Sequence, residues 1–483
     1  MKIISLIITK YKHELILVFF ILVYVFYFTT ASFFRYDNFY TGRFDLGNMD
    51  QTVWNTINGR IFQASSDLIP LSRLSAHADF MLILLSPFYL LWSHPKMLLL
   101  IQTVVLSFGA IFVFLIGKEI LKNKNLALIF SILYLMNPLL QLTNLYDFHA
   151  VTLSTTFLLA SFYFLIKKKY FLLVIFLLLS GITKEQVWII VSIFGIPLLF
   201  KKDMKLKILG AGIMLFSLFI FGLLGYLIWY AIPQSLGREH FAVSYYSDFG
   251  DSPLQVIKTI IFSPQKILST VFKEDRLEYL KQLFIPLGFI SFLNPLALVF
   301  SIPDLFINLL SKNPQLHQIY YQYTANITPF IFISAIYGVK IFIKWFPKIP
   351  KFFISFYLII FTLLSSFLFG PLPGGKNSNL DMFTKPQPKK QIIENFISRI
   401  PQKHSVAATN NLGSHASQRR DIYTIPEGID SADVILFLLN DQFAQPSLQA
   451  QKEMVENLKQ DKSYIKVFEK DDFVVFKKRE IML

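Results

Sequence analysis

Residues 15–34 read LILVFFILVYVFYFTTASFF, and shortly after them residues 43–55 read RFDLGNMDQTVWN. The first run holds no charged residue and is long enough to cross the ~30 Å hydrocarbon core of a bilayer as one helix. It is too long for the apolar core of a signal peptide and ends without a small-residue cleavage site, so it reads as an uncleaved first transmembrane helix. The second run places two carboxylates, Asp45 and Asp50, where the chain has just left the membrane. On one helix they point in different directions, whereas a turn at Leu46-Gly47 brings both toward one cavity, and the spacing is compatible with either. Alternatively, Asp45 caps a helix over 47–57, accepting the free N–H groups of its first turn.

The surroundings are membrane protein throughout. A chain of 483 residues that is 54% hydrophobic and contains 52 Phe, with a mean hydropathy of +0.51, has far more apolar side chain than a soluble core of that length needs. The formal net charge of +15 sits in short basic clusters between apolar segments, where the positive-inside rule expects it, and this excludes nucleic acid as a partner. With no cysteine there is no disulfide framework, no thiolate nucleophile and no Cys-ligated zinc or iron–sulfur site.

With the Lys-rich N-terminus cytoplasmic, the first helix delivers an extracytoplasmic loop, residues 35–96, that contains Asp45, Asp50, Arg60, Asp67, Arg73 and His77. Its apolar stretch at 79–93 is shorter than a span and ends at His94-Pro95, which suits an in-plane or re-entrant helix. Further spans are expected at 97–117, 126–143, 151–166, 170–183, 187–200, 208–232, two short ones within 282–311, 324–342 and 352–370. Asn294-Pro295 and Pro303-Asp304 break the 282–311 stretch. The total is about eleven transmembrane helices in a domain covering 1–372, multi-pass in the cell membrane and in contact with its lipids. After the linker Pro371-Leu372-Pro373-Gly374-Gly375 no run is long enough to span, so 373–483 reads as a small soluble α/β domain, extracytoplasmic by parity. Strands are expected at 405–408, 434–439, 464–468 and 473–476, with helices near 389–399 and 446–459.

On this topology the polar clusters gather on one face of the membrane, and ionisable groups at such a boundary point to a site. Asp147 and His149 together with Asp45 form a candidate divalent metal site, since hard carboxylate oxygens suit Mg²⁺ or Mn²⁺. The alternative is that Asp147 caps the helix beginning near Ala150. Lys184 next to Glu185 is either a local ion pair or a point charge for phosphate. Arg43 and Arg238 are further phosphate candidates. His77 with Asp79 suggests a His–carboxylate pair. Tyr321 and Tyr323 are either interfacial aromatics or site walls opposite the acidic loop. No Gly-rich phosphate loop, Gly-x-Ser-x-Gly elbow or His-Glu-x-x-His is present, which leaves soluble nucleotide, hydrolase and zinc-protease chemistries without support.

Several stretches taken in order carry a resemblance. They are Phe44-Asp45-Leu46-Gly47 with Asp50 and Trp54-Asn55, residues 75–80 with Ser86-Pro87, Asp147-Phe148-His149, Thr183-Lys184-Glu185, and Tyr321-Gln322-Tyr323 with Pro329. In these the chain resembles a bacterial and archaeal family of predicted membrane proteins of unknown function related to the GT-C glycosyltransferases, over most of its length and including the tail at 405–478. The resemblance implies a GT-C fold, a polyprenyl-phosphate-linked sugar donor, and inverting transfer to an envelope lipid, glycan or protein on the extracytoplasmic face, with Asp45 in the place of the catalytic Asp. Arg43, Asp50, His77, Lys184, Glu185, Arg238, Tyr321 and Tyr323 are then the candidate substrate-binding residues. The rival readings are a transporter and a non-catalytic scaffold for envelope assembly. A transporter expects ionisable groups in mid-span and paired broken helices, and only one broken pair, near 295 and 303, is visible.

Overall fold

The computed structural model describes residues 10–65, 71–442 and 444–482. Lys2 and Asp67 lie outside them. Five helices are long and apolar enough to cross a membrane: α1 (Lys12–Asp37), α4 (Lys96–Leu121), α10 (Met204–Tyr226, continuing to Ser235), α12 (Thr328–Trp345) and α13 (Lys351–Phe369). A sixth is the pair α5 (Lys124–Met136) and α6 (Pro138–Leu145), bent by 40° where Pro138 breaks the helix and the Asn137 carboxamide caps α6. The remaining expected spans are shorter apolar helices of 10–17 residues, among them α7 (Ser154–Ile166), α8 (Tyr170–Gly181) and α9 (Val187–Ile193), the last with its continuation to Leu199. By length and composition five helices among the described residues are long enough to span, or six if the bent pair is one span.

The broken stretch at 282–311 shows why short pieces suffice. It runs through 3-10 turns at Ile285–Leu287, Ile290–Leu293 and Pro295–Ser301 into α11 (Ile302–Leu310), and most of its freed carbonyls are taken up by hydroxyls of the helices alongside. Ser334 donates to the carbonyls of Ser291 and Asn294, Thr362 to Pro286 O at 2.7 Å, and Tyr357 to Gly288 O at 2.9 Å. Irregular backbone is tolerated at membrane depth only where protein satisfies it in this way.

The tail folds as expected into a small α/β unit, with one strand beyond those expected. Its five-stranded sheet has the order β4–β3–β5–β7–β6, with β3 (Val406–Ala408), β4 (Ile422–Thr424), β5 (Val434–Leu438), β6 (Tyr464–Lys470) and β7 (Phe473–Lys478); β1 (Gln63–Ala64) and β2 (Leu71–Ser72) form a hairpin in the first loop. β4 and β5 pair in parallel with β3, Val406 opposite Ile422 and Val434, while β7 pairs antiparallel with β5 and β6. Helix α14 (Lys390–Arg399) covers one face with Ile393 and Ile397, and α15 (Leu448–Gln460) covers the other with Val455 and Leu458. Burial on both faces explains why β3, β4 and β5 are fully buried rather than alternating.

This unit does not stand apart from the membrane part. Phe39 of the first loop enters the same core as Ile393 and Val406. The His415 ring lies stacked between Tyr36 at 4.1 Å and Phe39 at 4.0 Å, with its Nε2 3.0 Å from Tyr36 O. Thr41 bonds Ser414 at 2.7 Å, and the Asn410 side chain accepts from Phe44 N at 3.1 Å. The segment 409–422 is thus built onto the first loop, and the two lie at the same end of the helices.

Candidate active site

Asp45 lies in a single π-helical turn, Arg43–Gly47, that leads into α2 (Asn48–Ile57). No side chain caps α2, so the capping alternative for Asp45 fails. Its carboxylate turns the other way: Oδ2 accepts from the Tyr146 hydroxyl at 2.8 Å and Oδ1 lies 3.0 Å from His149 Nε2. The opposite ring nitrogen of His149, Nδ1, lies 3.0 Å from the main-chain oxygen of Asp147. Both ring nitrogens therefore face oxygen atoms, which fixes the orientation of the imidazole. Burial alone would raise the Asp45 carboxyl. The hydrogen bond and charge of His149, with help from Tyr146 and Arg35, outweigh it and hold the group below the usual carboxylate range. The side chain remains 28% exposed, and each oxygen keeps a second lone pair. Asp45 is therefore an ionised carboxylate, fixed in orientation and open to a ligand.

The neighbouring walls are aromatic. The Tyr146 ring stacks on His149 and meets Tyr321 edge-on at 5.0 Å, and Tyr321 and Tyr323 are both within electrostatic reach of Asp45. A pocket of 210 Å³ is lined by Tyr146, Tyr320, Gln282, Asn377 and Asn379 among others.

The second carboxylate of the motif does not share this cavity. The five-residue step sends Asp50 to the opposite side of α2, where it is buried and bound by Tyr89 at 2.6 Å, Ser417 at 2.6 Å and Gln418 at 3.2 Å. Arg43 is also drawn into the contact with the tail, donating to Asn48, to Gln51 at 2.6 Å and to Ile422 O at 3.4 Å. Both residues join loop to tail and, buried as they are, offer no surface to a substrate.

Asp50 supplies a test of this junction. Burial pushes its carboxyl up to about 6, only partly offset by Ser417, Tyr89, Gln418 and the charge of Arg43. The folded state therefore binds this proton more tightly than the unfolded chain, whose Asp titrates near ~3.9. Stability falls as pH rises between those two values, and the cost, on the order of 2 to 3 kcal/mol, is complete above the folded pKa. Asp50→Asn, whose amide can donate to Ser417, is expected to melt higher than wild type at pH 7.5, with the gap closing near pH 4. A gap independent of pH would show that Asp50 is not the titrating group.

The expected metal set does not form. Asp45 and His149 meet, but the Asp147 oxygens go to the Arg35 guanidinium and to Gly42 N at 2.7 Å, so Asp147 caps no helix and faces no ion. Among the described residues no group of three or more His, Asp or Glu is placed to hold a metal.

The other expected pairings are rearranged. Asp79 binds Arg73 rather than His77, through contacts of 3.0 and 3.2 Å, and His77 Nδ1 instead meets Glu185 at 2.9 Å. Glu185 also accepts from Ala78 N at 3.0 Å; burial would raise it, but His77, Lys184 and that N–H hold it well below the usual range. Burial, with the charge of Lys184, pushes His77 down to about 4, so it is neutral. With Glu185 engaged by His77, the local Lys184–Glu185 ion pair is absent. Lys184 is half-buried, makes no ion pair or hydrogen bond among the described residues, and is felt by His77, Glu185, His240 and Asp304. Arg238 is exposed and within electrostatic reach of His240.

Asp304, which the sequence shows only as part of a helix break, is a carboxylate buried in α11, with Oδ2 held by Asn326 at 2.7 Å and Oδ1 without a hydrogen-bond partner among the described residues. An acidic residue inside an apolar run was the available signal. A cavity of 390 Å³ lies between α8, α9 and α10, lined by apolar side chains such as Leu177, Val191, Ile213 and Phe216 along with Trp188.

Residues 35–475 match the family profile DUF2079, described as predicted membrane protein. The chain belongs to this family. Among curated proteins none matches. Among solved structures, ArnT from Cupriavidus metallidurans bound to undecaprenyl phosphate is similar with a TM-score of 0.53 at 10% identity, over 96% of this chain and 98% of that one. The Archaeoglobus fulgidus oligosaccharyltransferase in its apo form gives a TM-score of 0.43 at 12% identity over 88% of this chain, which spans 65% of the length of that enzyme. These neighbours are GT-C glycosyltransferases, and what this DUF2079 chain shares with ArnT is the fold.

Proposed function

We propose that this protein is an inverting GT-C-type glycosyltransferase that moves a sugar from a polyprenyl-phosphate carrier to an envelope lipid, glycan or protein at the extracytoplasmic face, with its tail domain on that same face. The observation that carries the reading is Asp45: an ionised, oriented and accessible carboxylate on the first loop, held by Tyr146 and His149. It takes the proton of the acceptor hydroxyl. The hydroxyl oxygen bonds to the anomeric carbon while the bond from that carbon to the phosphate oxygen breaks, its electron pair leaving on the phosphate. A base poised this way contributes about 10²- to 10⁴-fold.

Lys184 is the phosphate ligand in this scheme, because its half-buried ammonium has no protein partner among the described residues, and Arg238 adds long-range charge. Trp188 in the wall of the 390 Å³ cavity is four residues past Lys184 in sequence, and in this scheme the isoprenoid chain of a phosphate held at Lys184 runs toward those apolar side chains. Tyr321 and Tyr323 form the sugar wall, as aromatic faces suit apolar sugar surfaces.

The test is binding and transfer with purified protein in nanodiscs and a synthetic polyprenyl-phosphate sugar. Lys184→Ala is expected to weaken binding roughly tenfold to a hundredfold, the usual worth of a charge-assisted bond. Arg238→Ala should weaken it less. Wild-type protein that binds no polyprenyl phosphate would refute the reading, while equal affinity in Lys184→Ala would remove only that residue.

A further inference from the structure

Between α10 and α11 lies a stretch with the character of a membrane-surface element. It consists of two short helices, Pro253–Phe262 and Pro264–Val271, the first with the Ser252 hydroxyl at its cap and the two joined at Ser263-Pro264. The first has no buried residue at all, and in the second only Thr270 is buried. Leu254, Ile257, Ile261 and Phe262, then Leu268 and Phe272, are 53–78% exposed. Leu254, Ile257 and Ile261 recur at steps of three and four, and within each helix the exposed apolar side chains fall on one side, with Lys258 set among them on the first. So many large exposed apolar side chains in one short stretch mark an interaction surface.

Length excludes a span: at 1.5 Å per residue the helices measure roughly 15 and 12 Å, against a hydrocarbon core of ~30 Å. Charge indicates the occupant. From Ser252 to Lys273 there is no acidic residue, and Lys258, Lys266 and Lys273 are all exposed. The pair is tethered from one side only, the second helix packing on α11 and on the helix Glu274–Phe284, which leaves the apolar face free. The stretch follows α10 after an intervening segment that contains a 3-10 turn, Phe241–Tyr246, and α10 itself exposes Phe219, Leu223, Tyr226 and Tyr230.

We propose that 253–272 lies in the plane of the membrane surface, its apolar face at the boundary of headgroups and acyl chains, its lysines bound to the phosphates of anionic lipids. Such basic amphipathic pieces bind by apolar area plus attraction to anionic headgroups. The segment just before it is tied to the site region, Tyr245 O accepting from Lys312 N at 2.7 Å and the Tyr246 hydroxyl donating to Ile307 O at 3.0 Å. Docking on the bilayer would therefore also hold these tyrosines in place. The inference is independent of the sugar-transfer reading.

Because the chain contains no cysteine, single thiols can be introduced without background. Full-length Ile257→Cys, Leu268→Cys and, as a polar-face control, Lys266→Cys, which lies across the second helix from Leu268, would be labelled with an environment-sensitive fluorophore in nanodiscs of phosphatidylcholine with and without phosphatidylglycerol. Nitroxide-bearing lipids are expected to quench positions 257 and 268 severalfold more than 266. Phosphatidylglycerol should deepen this, and joint replacement of the three lysines by Gln should abolish its contribution. Labels at 257 and 268 that no lipid nitroxide quenches would overturn the proposal. So would energy transfer between labelled copies with no lipid quenching, which would assign the face to a second copy of the chain.

Discussion

Asp45→Asn is expected to lower sugar transfer by about 10²- to 10⁴-fold while leaving the protein folded and its affinity for the polyprenyl-phosphate donor unchanged. Asn keeps the size of the side chain and an acceptor for Tyr146 or His149, but it cannot take the acceptor proton. The carboxylate is 28% exposed and caps no helix, so little stability rests on it, and rate and stability should separate. The pH profile gives a second readout. Asp45 is held below the usual carboxylate range, so it is ionised at neutral pH, and the rate should fall only as pH drops below that range. Measuring kcat, donor affinity and thermal unfolding on one preparation checks all three, and a wild-type rate in Asp45→Asn would end the assignment of Asp45 as base.

Gly413→Ala is expected to destabilise the junction between first loop and tail, by about 1–3 kcal/mol or more, and to reduce transfer although residue 413 touches no substrate. A β-carbon at 413 would meet Arg43 Cβ at 2.1 Å and its Cγ at 2.8 Å. Arg43 Cβ is fixed to the backbone of the very turn that carries Asp45, so the clash cannot be relieved by swinging a flexible side-chain end. On the other side Gly47 is also close, though less so, a β-carbon there falling 3.2 Å from Ser414 Cα. Loop and tail approach each other here glycine to glycine. Limited trypsin digestion in nanodiscs should cut Gly413→Ala within 409–422 well before wild type. Gly212→Ala, where a β-carbon meets nothing within 4 Å, is the control expected to change neither digestion nor rate. Equal protection in both variants would show that the junction does not depend on this contact.

The sequence by itself was enough to establish the membrane class, the long spans and the tail. A helix facing lipid must be one long apolar run, as α1 and α13 are, and short strands such as β5 and β7 announce themselves as bounded apolar runs. Asp45, Asp147 and His149 were also legible as neighbours of one site, because polar groups at a membrane boundary are costly. What lets the remaining helices be short was not legible. Helices surrounded by protein can be short and broken when Ser334, Tyr357 and Thr362 satisfy the freed carbonyls, and hydropathy does not register such partners. Strand β4 escaped because only three residues, Ile422–Thr424, follow the charged run Arg419-Arg420-Asp421. Which carboxylate does what was decided by tertiary structure alone. Asp45 and Asp50 differ by five residues and nothing else in the sequence, yet one faces His149 and the other is closed in by Ser417 and Tyr89. The same holds for His77, whose partner is Glu185, 108 positions away, and not the nearby Asp79. Pairing at a site is set by which chain segments the fold brings within hydrogen-bond distance, and local spacing carries no record of it.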